Sequence, residues 1–248
     1  MDFLLLTYKK DYQIWNIGKY SVSKINSFKQ CKRLFKYRYI DKIKIDKKSE
    51  ALDKGSLIHE LIENTLIHKT KPNITTICDK YVNLNSEKKQ ECKEIYDKFC
   101  ESSNFKVISS LPYKQYIENW FNFDSNFIPS DRSTYFTGKI DYYVIDSSKG
   151  IGLNIDWKTG KFNENPDLYQ LEVYALWMIL KYKLKGVKSK YYYVEHDRSY
   201  ELLVRDSDIE RIKHKIKSDI DNIESCDKFD LTLSPLCDYC DYYSVCNE

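Results

Sequence analysis

The sequence predicts an α/β fold in which a mixed central sheet is flanked by helices. Three observations lead there. Apolar residues recur with helical period through 50–68 and 86–100, and the texture between 113 and 158 turns aromatic and β-branched. After 165 helical spacing returns, followed by two strand-like runs and a last helix. No internal repeat or low-complexity joint divides the chain, so a single domain over 1–248 is expected. Within it, 21–48 is a basic helical segment, 50–204 the core, and 205–248 a terminal helix with a cysteine-bearing tail.

Each element has its own signal. Ser21 or Ser23 can cap a helix running to 40, with Ile25, Phe28, Leu34, Phe35 and Tyr39 on its apolar side. Leu52, Leu57, Ile58, Leu61, Ile62 and Leu66 define the helix over 50–68. Strands are expected over 113–121, 134–137 and 140–146, then at 151–158. Asn165 suits an N-cap and Pro166 a first helical position, for a helix ending near Lys183 before Gly186. Val187–His196 and Tyr200–Val204 read as a hairpin around Asp197-Arg198-Ser199, and Asp206 or Ser207 opens a helix to about Glu224.

Composition excludes some classes. No apolar run approaches the ~18 residues of a membrane span, and Phe3-Leu4-Leu5-Leu6 is too short for a secretory core. A cytoplasmic protein is expected. Net charge is only +3, but 19–48 carries eleven Lys/Arg against two Asp, a local +9. Such a stretch is either a solvated face or a surface that tracks phosphates. Lysine outnumbers arginine 34 to 6 across the chain, so lysine density alone says little.

The chemistry concentrates between Gly138 and Lys161. A Ser147–Gly150 turn pairs Asp146 with Ile151, and counting outward sets Asp141 opposite Asp156. Carboxylates facing each other at about 4.5–5.5 Å repel unless a cation lies between them. Period two puts Lys158 on the same face and turns Ile151, Leu153, Ile155 and Trp157 the other way. Two carboxylates can hold magnesium or manganese, which activates water, and an ammonium beside them suits phosphodiester hydrolysis. A bulge would break this register and leave an exposed hairpin with chance carboxylates.

Asp141 with Asp156-Trp157-Lys158 and Thr159-Gly160-Lys161 resembles the PD-(D/E)XK nuclease signature in its RecB-like form. Gly55-Ser-Leu-Ile-His59 resembles that family's G-x-x-x-H helix, and Gln170-Leu-Glu-Val-Tyr174 its Q-x-x-x-Y helix. The resemblance implies a restriction-endonuclease-like core. It implies a Mg or Mn ion held by His59, Asp141, Asp156 and position Trp157, with Lys158, Gln170 and Tyr174 completing the catalytic set. Read without it, His59 alone is more often a satisfied core histidine, and Gln170 and Tyr174, i,i+4 neighbours able to contact phosphate or orient Lys158, fit amphipathic packing nearly as well. Glu118, in the first strand, is within conceivable reach of the metal pocket.

Cys237, Cys240 and Cys246 form an incomplete metal site, since zinc and iron–sulfur centres usually take four donors. RecB-like nucleases of the iron–sulfur branch, which includes AddB and the CRISPR-associated adaptation exonuclease, have a fourth cysteine far upstream, and Cys31 matches that place. The resemblance thus implies a 4Fe-4S cluster joining the N-terminal helix to the tail, with zinc the alternative. Cys78, Cys92, Cys100 and Cys226 are expected to be buried free thiols.

The function expected is a metal-dependent DNA nuclease, an exonuclease on single-stranded or end-presented DNA, with the basic helix holding the strand and tyrosines and Trp157 offering stacking surfaces. A non-catalytic DNA-binding scaffold and an RNase are the rivals. No Walker motif occurs, so a helicase or other DNA-processing protein would be a partner. Repair, recombination, defence and phage DNA processing all suit such an enzyme.

Overall fold

The computed structural model describes residues 20–45 and 50–246. The expectations for Phe3–Leu6, and residues 19 and 46–48 of the basic stretch, lie outside the described residues. In chain order the elements are α1 (Val22–Gln30), α2 (Lys32–Phe35) with a π turn at Lys36–Ile40, α3 (Glu50–His68), α4 (Ile74–Asp79), α5 (Ser86–Glu101) and α6 (Ser103–Ser109). Then come β1 (Gln115–Phe123), β2 (Phe136–Asp146), β3 (Ile151–Lys158), α7 (Tyr169–Tyr182), β4 (Gly186–Tyr193), β5 (Arg198–Arg205), α8 (Ile209–Glu224) and α9 (Tyr243–Cys246). The five strands form one sheet in the order β1-β2-β3-β4-β5. It is mixed: β2–β3 and β4–β5 are antiparallel, β3–β4 parallel with α7 as the crossover. Among the described residues no helix is long and apolar enough to cross a membrane.

Two compact units divide the chain. One draws on residues 48–121 and 139–209. In it α3 buries Leu57, Ile58, Leu61, Ile62 and Leu66, the face its periodicity predicts, in a core with Tyr96 and Phe99 of α5 and the sheet residues Tyr142, Ile155 and Trp157. Burying side chains of this size stabilises by about 1.5–3 kcal/mol each. Between β3 and β4 the buried pair Asn154 and Ser189 stand in register, with Asn154 Nδ2 donating to Ser189 Oγ at 2.7 Å.

The other unit draws on residues up to 47, on 122–138 and on residues from 210 onward. Ser21 caps α1 as expected, its Oγ accepting from Lys24 N. The expected continuous helix to 40 is broken at Cys31, whose backbone is extended (φ −162°, ψ 120°). Phe35 is fully buried against Phe28, Tyr39 and Phe229, so the break lets the aromatic residues on both sides of it reach one core. The basic stretch is partly neutralised here: Lys29 pairs with Asp219, Lys36 with Asp41 and Arg38 with Asp241. That reduces, without removing, the positive face expected to track phosphates.

Other boundaries moved. The helix expected to open at Asn165-Pro166 begins at Tyr169, where Asp167 Oδ1 accepts from Tyr169 N, and it ends on a left-handed Lys183 (φ 54°). The hairpin turn is a 3-10 turn at Val194–His196 plus a left-handed Asp197, so Arg198 and Ser199 belong to β5. The short helices α4 and α6 had no sequence signal, because one or two turns hold too few residues to show a period.

Candidate active site

The Ser147–Gly150 turn sets the hairpin as counted. Asp146 pairs with Ile151, and the register runs unbroken to Tyr142 opposite Ile155. Gly150 takes φ 65°, and Asp146 Oδ1 accepts from the backbone N–H groups of Ser148 and Lys149, which locks the turn. Asp141 and Asp156 stand one step beyond the last paired residues. There the Asp141 carboxylate turns back into the gap, Oδ2 accepting from Trp157 N at 2.9 Å.

His59 arrives from α3. Its Nε2 donates to the Trp157 carbonyl at 2.9 Å, and its Nδ1 lies 3.5 Å from Asp141 Oδ2. In the neutral ring the Nε2 proton is committed to that carbonyl, so the Nδ1 lone pair faces a carboxylate oxygen. The Gly55 that precedes it by one turn lies against Thr159: a Cβ there would sit 3.2 Å from Thr159 Oγ1. The close approach permitted by this glycine is therefore that of a side chain.

Glu118 completes the cluster. One ligand atom each from His59, Glu118 and Asp141 lie within 4.8 Å of one another, a grouping that among the described residues has no counterpart. Its placement depends on a break in β1. Tyr116 stacks on Tyr143 of β2, which touches Trp177 of α7, while Phe121 touches Tyr174 and Trp177 of the same helix. Positions 116 and 121 can share a face only if the alternation slips once between them. It does so at Glu118, which adopts φ 50°, a left-handed conformation costly for a side-chain-bearing residue. The sequence signal was thin: Glu118 is the one acidic residue of β1.

Asp156 is 4% exposed, with Oδ2 buried and making no hydrogen bond, although Lys158 Nζ lies 2.5 Å away as an ion pair. Lys158 also donates to Gln170 Oε1 at 3.2 Å and lies 4.5 Å from the centre of the Tyr191 ring. Gln170 Nε2 in turn donates to Tyr174 OH at 2.6 Å. The sequence-predicted residues His59, Asp141, Asp156, Lys158, Gln170 and Tyr174 therefore form one connected constellation, to which the structure adds Glu118 and Tyr191. Trp157 is a correction: its side chain is 3% exposed between Phe99, Tyr142 and Tyr192, so it cannot stack on a base. Only its backbone borders the site.

The electrostatics follow from crowding of like charge. Burial, then Asp156 and Glu118, push the Asp141 carboxyl well above the usual range. Burial and the same two aspartates push up the Tyr174 hydroxyl. Crowded carboxylates beside an imidazole, with a buried Asp156 oxygen that makes no hydrogen bond and meets only the Lys158 ammonium among the ion pairs, fit a hard divalent cation such as Mg or Mn.

In the other unit Cys31, Cys237, Cys240 and Cys246 line a single cavity with Leu34 and Tyr37. Cys237 and Cys240 lie in and just after a 3-10 turn opened by Pro235, and Cys246 ends α9. No three of these sulfurs lie within 4.8 Å of one another, as four thiolates at about 2.3 Å from a single zinc would. None of the eight cysteines forms a disulfide; Cys78, Cys92 and Cys226 are buried as expected, Cys100 only partly.

The fold is shared with a solved protein from Eubacterium rectale, provisionally named an exonuclease, at a TM-score of 0.54 and 13% identity over 90% of this chain and 94% of that one. A second solved structure, SSO0001, aligns over 98% and 94% of the two chains at a TM-score of 0.42 and 14% identity. No curated protein matches the sequence. The family model described as the PD-(D/E)XK nuclease superfamily matches residues 19–247, which takes in both units and every residue of the constellation. The chain belongs to the PD-(D/E)XK nuclease superfamily.

Proposed function

We propose that the protein is a divalent-metal-dependent deoxyribonuclease, acting as an exonuclease on single-stranded or end-presented DNA. The observation that carries the reading is the convergence of His59, Glu118 and Asp141 beside a buried Asp156 whose Oδ2 is ion-paired with Lys158. A Mg or Mn ion held by His59, Glu118, Asp141 and Asp156, with the Trp157 carbonyl at the rim, would supply Lewis-acid activation of water and neutralise phosphate charge. The chain's own residues do the rest. Lys158, aimed by Gln170 and by the face of Tyr191, holds the attacking water by hydrogen bond and lends charge to the crowded phosphate. Tyr174 fixes the Gln170 amide so that its oxygen, not its nitrogen, meets the ammonium.

The cysteine set supports a second metal group, structural in role. Four thiols line one cavity, and the resemblance to the iron–sulfur branch makes a 4Fe-4S cluster the proposal, with zinc the alternative. Anaerobic purification followed by iron, sulfide and zinc assays tests it; zinc without iron would overturn the cluster.

The test of activity is a Mg and Mn titration on end-labelled single- and double-stranded DNA with an RNA control, for the parent and Lys158→Met. Metal-dependent DNA cleavage lost in Lys158→Met, with DNA binding kept, is expected. Binding without cleavage under either metal would sink the enzyme reading in favour of a scaffold, and preferential RNA cleavage would replace DNA by RNA.

A further inference from the structure

The metal constellation contains a second lysine that the catalytic set does not use. Lys139 stands two residues before Asp141 in β2 and forms an ion pair with Glu118. Its side chain is 39% exposed and that of Glu118 14%, so the carboxylate is held inside while the ammonium stands at the rim. Glu63 and Asp141 also place their negative charge on Lys139. Lys139, Glu118 and His59 share the wall of a cavity of about 710 Å³ with Glu60, Glu63 and Thr159. That volume lies within the range of small-ligand sites. Among the described residues Lys139 supplies the one Lys or Arg of that wall, and Glu60 is already engaged by Lys80 and Tyr81.

These placements set two cations in competition for one carboxylate. A divalent ion drawing on His59, Glu118 and Asp141 must take Glu118 from Lys139, because an ammonium and a metal cannot both sit on that partly buried oxygen pair without strong like-charge repulsion. Once displaced, Lys139 faces a cavity rich in carboxylates, where a phosphate oxygen is its complement. We propose that Lys139 is the internal counter-ion of the candidate metal centre, holding Glu118 in the metal-free protein and turning to a substrate phosphate when a divalent cation takes Glu118 over. Metal loading and nucleic-acid binding are thereby coupled through one side chain. The inference rests on the nuclease reading above.

The experiment uses the full chain in a Lys158→Met background, so that cleavage does not interfere, and compares Lys139 with Lys139→Met and Lys139→Arg. Mn affinity is measured by calorimetry, and binding of a labelled single-stranded oligonucleotide by anisotropy, with Mn or with EDTA. Thermal unfolding in EDTA checks that each variant folds. Lys139→Met is expected to bind Mn about three- to tenfold more tightly, since the competitor is gone. It is also expected to lose at least threefold of the oligonucleotide affinity that Mn confers, while Lys139→Arg keeps parental behaviour in both. A purely structural lysine would not tighten metal binding when removed. Unchanged or weaker Mn affinity in Lys139→Met, or undiminished Mn-dependent oligonucleotide binding, overturns the proposal and leaves the nuclease reading standing. Absence of Mn binding by the Lys158→Met protein itself overturns both.

Discussion

Asp141→Asn separates what the acidic cluster does for chemistry from what it costs the fold. The carboxylates of Glu118 and Asp141 place oxygens within 4.8 Å, and two unit charges at that distance repel by about 3.5 kcal/mol at an effective dielectric near 20. Lys139 on Glu118 and the Trp157 N–H on Asp141 offset part of this, leaving roughly 1–2 kcal/mol of net destabilisation. The asparagine can still accept from Trp157 N through its Oδ1. Asp141→Asn should therefore raise the unfolding free energy in EDTA at pH 8 by about 1–2 kcal/mol, or Tm by about 2–8 °C for a chain of this size. The pH dependence has a fixed sign. The folded Asp141 pKa lies above its unfolded value, so parental stability declines as pH rises from about 4 through the elevated folded value. The asparagine variant lacks that decline, so the gap should vanish near pH 4 and open toward alkaline pH. Urea unfolding across pH in EDTA measures it, and added Mn should stabilise the parent more than the variant. A variant no more stable than the parent at pH 8, or a gap that persists unchanged at pH 4, would refute the charge-crowding account.

Glu118→Gly removes a proposed metal ligand and a strained backbone together. It should gain up to about 1 kcal/mol in EDTA by relieving φ 50°, yet lose Mn affinity tenfold or more by calorimetry. Ser189→Ala leaves Asn154 Nδ2 with only the weak Met178 sulfur acceptor in the buried β3–β4 layer, and urea denaturation should report a loss of about 1–3 kcal/mol. Cys31→Ser should abolish iron and sulfide in the anaerobically purified protein while leaving Mn binding by the other unit measurable.

The hairpin was legible because a tight turn fixes register by counting, and two aspartates then coincide by arithmetic. His59 and the Gln170–Tyr174 pair were legible through helical spacing, which places i and i+4 on one face wherever the helix begins; the late start of α7 at Tyr169 did not disturb them. Glu118 was not assignable, because its position depends on a slip in strand alternation that composition does not encode. A trace existed in the phase change between Tyr116 and Phe121. The break at Cys31 was hidden for the opposite reason: apolar residues continue on both sides of it, and periodicity alone cannot tell one helix from two pieces meeting at a corner. Trp157 shows that an aromatic residue inside a catalytic motif can serve the core alone.

The unit that brings residues 20–45 together with residues from 210 onward has a consequence for synthesis. Tyr20 donates to Glu224 at 2.8 Å, and Arg38 pairs with Asp241, across separations of 204 and 203 residues. At about 5–20 residues per second, the emerging N-terminal segment waits on the order of 10–40 s for these partners to leave the ribosome. During that interval Phe35, destined for full burial, lacks the Phe229 ring that stacks on it in the folded unit, so the segment's apolar face stays open to water for most of synthesis.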